Sequence, residues 1–172
     1  LVLVPFWTNF LVRTIGWQLI LSPNGIASGF LQDVGITNQD LALLYTQTGV
    51  QIGVVYNYLP LMILPLYVAF ERIDPALTEA SKDLGASRLK TFMQVTMPLA
   101  MPGAVAGMLL VFIPLMGDYI TPALLGGAKG SMAGILVAEQ FLATFNWSLG
   151  AAMAVIMIGF ILGALVVFSI LG

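Results

Sequence analysis

The sequence predicts an all-α membrane protein, a multi-span helical bundle, on three observations. Of its 172 residues, 59% are hydrophobic and 8% charged, with a mean hydropathy of +1.00, whereas a soluble domain carries about 25% charged residues. The charges avoid residues 41–70, 91–117 and 140–172 entirely, and each of these runs exceeds the roughly 20 residues a helix needs to cross a bilayer. Between the runs lie clusters of turn formers and charges, where a chain returns to water.

Taken in order, residues 1–21 are apolar but interrupted by Trp7, Arg13 and Trp17. A cleavable signal peptide would open with a basic segment and end in small residues, so this stretch reads as the outer part of a spanning helix. Ser22-Pro23-Asn24-Gly25 breaks it, and the polar residues up to Asp40 predict an aqueous loop over 22–40. Residues 41–70 form the next span, kinked at Pro60 and Pro65, since proline removes a helix donor that membrane neighbours can replace. Eight of the 14 charges then fall in 71–90, which must lie in water. A third span runs from about Leu99 to Gly117, followed by an outer segment, 118–147, whose apolar spacing over Met132–Phe145 suits a helix lying at the interface. The last span begins near Leu149, with Trp147 as its headgroup anchor. Both ends read as cut within apolar runs, and both missing flanks would extend inward.

Basic residues set the orientation. Arg72, Lys82, Arg88 and Lys90 lie in the central loop, Lys129 alone in 118–147, and none in 22–40. The central loop is therefore cytoplasmic and the other two loops external. Composition also removes whole functional classes. With no Cys and no His there is no thiol nucleophile, no Cys-ligated zinc and no imidazole shuttle, and no cofactor is expected. A net charge of −2 without a basic tract excludes nucleic acid. A proton-coupled carrier, the rival reading, would hold acids or histidines deep in its spans, and a channel would need a ring of like pore-lining groups; the uncharged runs supply neither.

The central loop contains the most specific pattern. Asp74-Pro75 is a helix start and Gly85 a helix stop, bounding a rod with Ala76, Leu77, Ala80 and Leu84 on one side and Glu79, Lys82 and Asp83 on the other. So short a helix is unstable by itself. Glu79-Ala80-Ser81, three residues, Gly85, nine residues, Val95, one residue and Met97-Pro98 together resemble the EAA loop of the membrane subunits of bacterial ABC importers, with Ser81, Val95 and Met97 as conservative departures from Ala, Ile and Leu. Pro5–Thr14, Val54–Pro60, Arg72–Pro75 and Gly117–Pro122 are similar to the spermidine/putrescine branch of those permeases; parts of these strings occur also in permeases for other small solutes such as phosphonates.

That resemblance implies a bacterial inner-membrane, multi-pass permease domain over 1–172, roughly the last four of about six spans, with 71–98 as the cytoplasmic coupling loop. It implies no hydrolysis in this chain: glycine-rich 126–131 lacks the order of a phosphate loop, and ATP belongs to a separate subunit. The implied partners are a second permease subunit, a cytosolic ATPase dimer, a periplasmic substrate-binding protein, membrane lipid and a small-molecule solute. Glu79, Ala80, Ser81, Leu84, Gly85 and Pro98 are the ATPase-coupling candidates, with Ala80 and Leu84 buried in the partner and Gly85 letting the backbone turn where an added side chain would clash.

Four residues are candidates for the substrate pathway: Asp118, Tyr119, Asn57 and Gln51. Asp118 is the only acid adjoining the third span, and it either attracts a cation or caps the following segment. Gln51 and Asn57 are amides within a span, which either bond neighbouring helices or line the pathway. Arg13 would repel a polyamine and reads as an anchor near the outer interface. Gly49-xxx-Gly53, Gly103-xxx-Gly107 and Gly159-xxx-Gly163 each allow close helix approach, for packing inside the subunit or for a dimer seam.

Overall fold

Most helices begin where the sequence offers an oxygen to the first unpaired N–H groups. In the computed structural model, which describes residues 8–35, 43–127 and 132–171, Asn9 accepts the Leu11 N–H at 2.8 Å and opens α1, Phe10–Leu21. After Ser22–Gly25 comes α2, Ile26–Asp33. The hydroxyl of Thr46 accepts from Gly49 N–H at 3.2 Å at the start of α3, Gln47–Glu71, and Asp74 accepts from Ala76 N–H at 2.9 Å before α4, Pro75–Asp83. Ser87 accepts from Lys90 N–H at 3.3 Å before α5, Arg88–Thr91. A π-turn, Phe92–Thr96, joins α5 to α6, Met97–Met116. Then come α7, Ile120–Leu125, α8, Ala133–Leu142, and α9, Trp147–Leu171, with Asn146 accepting from Leu149 N–H at 3.1 Å.

Among the described residues, three helices are long and apolar enough to cross a membrane: Gln47–Glu71, Arg88–Met116 and Trp147–Phe168. Several boundaries differ from the sequence reading. The 22–40 segment is not wholly loop, because Ile26–Asp33 has enough apolar residues to form α2 against α1. The helix expected over Met132–Phe145 is shorter, ending at Leu142 with Phe145 at φ 52°. The third spanning helix starts near Arg88 rather than Leu99. Charge marks where water begins, but a helix continues into water wherever a cap and a ladder permit. Helix α3 runs unbroken through Pro60 and Pro65. Residues 1–7, which hold Pro5 and Trp7, lie outside the described residues, as do Thr37–Asp40 and Lys129.

The chain divides into two compact units, Leu1–Pro60 with Pro114–Phe160, and Leu61–Ile113 with Ile161–Gly172. In the first, α1 packs on α2 and α7, and α7 on α8. Tyr45, at φ 62°, donates its N–H to the Leu125 carbonyl at 2.8 Å, while Leu44 N–H reaches the Leu21 carbonyl at 3.1 Å. These bonds tie the entry of α3 to the ends of α1 and α7. Gly53 sits directly against α7: a Cβ there would overlap Leu125 Cδ1 and come within 3.1 Å of Thr121 Cγ2. In the second unit Gly103 lies on Ala69 and the Pro65 carbonyl, and Gly107 lies on Met62. Two of the three glycine pairs thus pack inside the subunit. Gly159 and Gly163 have nothing within 4 Å of an added Cβ.

Candidate functional site

Two places gather the candidate residues. The first is the charged loop between α3 and α6. Asp74 fixes the start of α4, and at its end Leu84 N–H donates to the Ala80 carbonyl at 3.1 Å and Gly85 N–H to Lys82 at 2.8 Å. Gly85 adopts φ 82°, the left-handed conformation that ends helices and that side chains resist. A Cβ at Gly85 meets nothing within 4 Å. The clash expected there is with a partner, and within this chain the demand for glycine comes from φ.

Helix α4 lies on α5 and the π-turn through its hydroxyl side, not its apolar side. Ser81 and Thr78 are half-buried, and the Ser81 hydroxyl is hydrogen-bonded to that of Thr91 at 3.1 Å. Leu77, Glu79 and Ala80 are exposed, and Leu84 is 90% exposed. A short helix is thus held by one face with its apolar face open. Pro98 shapes the element that follows. It has no N–H for the Gln94 carbonyl four residues back, and its ring crowds that carbonyl. The helix widens just before it, Met97 N–H donating to the Phe92 carbonyl five residues back.

The second place is a buried polar cluster in the unit formed by Leu1–Pro60 and Pro114–Phe160. Asp118, 6% exposed, accepts through Oδ1 from the Ile120 and Thr121 N–H groups, both at 3.0 Å, and through Oδ2 from the Thr121 hydroxyl at 2.5 Å. It is the cap of α7. Asp118 also lies within electrostatic and hydrogen-bonding reach of Tyr58, whose ring meets Phe10 edge-on at 6.2 Å. Beside Tyr58, Asn57 is 2% exposed and donates from Nδ2 to Thr14 Oγ1 at 3.1 Å, while Thr14 donates to the Phe10 carbonyl at 2.9 Å. The Asn57 Oδ1 is buried without a hydrogen-bond partner. The Arg13 guanidinium lies 5.8 Å from the Phe10 ring centre.

The four pathway candidates therefore separate. Asp118 and Asn57 are in the buried cluster, Asn57 bonding a neighbouring helix. Tyr119 is exposed. Gln51 is exposed on α3 and lines a groove of about 410 Å³ with Trp17, Thr48, Val55, Tyr56 and Leu59. Thr14, in the first apolar stretch, and Thr121, in the outer segment, have no role of their own in the sequence reading. Their only signal was a hydroxyl at helical spacing from another polar group. Among the described residues, no group of three or more His, Cys, Asp or Glu could hold a metal ion, and the polar atoms that converge are committed to helix ends and helix contacts, except Asn57 Oδ1.

Residues 1–172 match the family model described as binding-protein-dependent transport system inner membrane component. The chain is 43% identical over 155 residues to the spermidine/putrescine transport system permease protein PotB of Escherichia coli K12, covering 90% of this chain and 56% of that protein. To PotB of Haemophilus influenzae it is 45% identical over 155 residues, covering 90% of this chain and 54% of that protein. To the inner membrane ABC transporter permease protein YdcU of Escherichia coli K12 it is 36% identical over 166 residues, covering 90% and 53%. The chain spans about half the length of the curated relatives it matches.

Proposed function

Because the chain belongs to the family of binding-protein-dependent transport system inner membrane components, we propose that it is part of the permease subunit of an ATP-driven importer that moves polyamines, spermidine or putrescine, into the cytoplasm. The observation carrying this reading is α4, capped by Asp74, stopped by Gly85 at φ 82°, held through Ser81, and offering Leu77, Ala80 and Leu84 to a partner. An apolar face left open on a rigid helix at the water side has a use when another protein buries it. That protein is the cytosolic ATPase, and Glu79 pairs with polar groups there.

The chemistry of this chain is then mechanical. ATP closes the ATPase dimer, α4 moves with it, and the spans alternate access between a periplasmic binding protein outside and the cytoplasm inside, this subunit pairing with a second permease subunit. The 43–45% identity to PotB supports a polyamine as the solute. Asp118 fits a cationic solute at a distance only, since both its oxygens are engaged in the α7 cap. Its charge lowers the energy of a passing ammonium without ligating it, and the exposed Tyr119 ring beside it adds a cation–π face. Weak attraction suits a pathway, because a tight site would retain the solute.

The test is reconstitution of the full-length protein with its partner subunits in proteoliposomes. Polyamine-loaded binding protein is expected to stimulate ATP hydrolysis and uptake, and Gly85→Leu to abolish uptake while leaving membrane insertion intact. Stimulation by a different solute and not by polyamines would overturn the substrate. Normal uptake by Gly85→Leu would overturn the coupling role.

A further inference from the structure

Ser81 stands where the EAA pattern has alanine, and the structure gives its hydroxyl a partner. Ser81 is half-buried and bonds at 3.1 Å to Thr91, which is 4% exposed and is the last residue before the π-turn. The same residue is held a second way, its carbonyl accepting the Ala86 N–H at 3.1 Å. Each helix end at the elbow is closed on its own side, Gly85 N–H donating to the Lys82 carbonyl at 2.8 Å at the end of α4, and Ser87 accepting from Lys90 N–H at 3.3 Å and from Thr91 N–H at 2.9 Å at the start of α5, so that the Ser81–Thr91 bond is the one that crosses from α4 to α5. An elbow pinned by that bond, with α4 packed on α5, resists opening. The next element has the opposite character. The π-turn Phe92–Thr96 interrupts the α-helical ladder with a five-residue bond, and Pro98 withholds the donor that would restore the ladder at Gln94; π-turns and prolines are where helices kink.

We propose that Ser81 and Thr91 are positioning residues that weld α4 to α5, so that residues 74–91 swing as one lever with the π-turn they lie on, and the bend is taken up where the π-turn meets α6 at Pro98. This rests on the coupling role proposed above for α4 and adds where the motion is rigid and where it yields. A lever loose at its elbow would let the ATPase close without moving the span that follows. The loss would therefore fall on coupling, the solute moved per ATP hydrolysed, more than on hydrolysis.

Two measurements test it on the full-length protein. In the reconstituted transporter, Ser81→Ala, Thr91→Val and the double variant are each expected to lower solute moved per ATP by about fivefold, the factor one net hydrogen bond controls. The double variant should be no worse than either single one, because both remove the same bond. Ser81→Thr and Thr91→Ser, which keep the hydroxyls, should restore the ratio. A folding defect would lower uptake and hydrolysis together and leave the ratio alone. An unchanged ratio in the single variants, or additive losses, overturns the proposal. The second measurement needs no ATPase: spin labels at Leu77→Cys and Leu89→Cys, both exposed, report the elbow in the permease alone. A narrow distance distribution that broadens with Ser81→Ala supports the weld, and one broad from the start overturns it. If polyamine-stimulated hydrolysis is missing in the unmodified transporter while that distribution is narrow, the transport reading fails and the rigid elbow stands.

Discussion

Replacing Asp118 with alanine removes the acceptor of three donors at once. The Ile120 and Thr121 amides at 3.0 Å and the Thr121 hydroxyl at 2.5 Å would face a methyl group in a site only 6% exposed. Loss of a helix cap costs about 0.5–2 kcal/mol, and a hydrogen bond to a charged group contributes about 1.5–3 kcal/mol. The two amides share one oxygen, so the contributions overlap, and the expected destabilisation is about 2–4 kcal/mol. Asparagine keeps Oδ1 for both amides and can donate its NH₂ to Thr121 Oγ1 once that hydroxyl rotates. Its expected cost is within about 1 kcal/mol. Detergent-purified full-length protein, unfolded by heat and by a graded SDS titration, gives the stability order wild type, Asn, Ala. Stability of the Ala variant within experimental error of wild type would refute the cap, and an Asn variant as unstable as the Ala variant would show that charge, not cap geometry, holds α7. Uptake adds a second reading: Asp118→Asn should slow polyamine entry with assembly and basal hydrolysis preserved, and undiminished uptake would reject the electrostatic role.

A side chain at Gly103 has no room, because its Cβ would overlap that of Ala69 and lie 2.9 Å from the Pro65 carbonyl oxygen; Gly103→Val should destabilise by at least the 1–3 kcal/mol typical of overpacking, read in the same SDS titration. Gly159→Ala meets open space and should cost nothing in the isolated subunit, so equal losses at the two positions would refute the packing distinction. Topology is checked by single cysteines in this Cys-free sequence: Ser87→Cys should label only from the cytoplasmic side, and Asn38→Cys and Lys129→Cys only from the periplasmic side, the reverse pattern overturning the orientation.

How far the sequence could be read depended on whether a signal was local. The capped rod from Asp74 to Gly85 was legible because an N-cap, a proline at the first turn and a helix-ending glycine each act within a few residues. The spans were legible because an uncharged run has few alternatives to lipid. Helix ends in water were less so: α2 and the extension of α6 back to Arg88 depend on tertiary contact and a shared ladder, which polarity does not encode.

Sequence by itself determined that this chain is a helical membrane protein with one charged loop in a spacing that resembles a transport family, since hydrophobic length, charge distribution and residue spacing are properties of a linear string. Tertiary structure alone decided which face of α4 is held and which is left open, because Ser81 finds Thr91 only after the chain has turned back on itself. It likewise decided that Asp118 is spent on capping α7, that Asn57 binds Thr14 across 43 residues of sequence, and that Gly53 and Gly103 face neighbours while Gly159 faces none. Each of these is a matter of which groups meet in space, and a hydroxyl, carboxylate or bare backbone acquires its role from the atom opposite it.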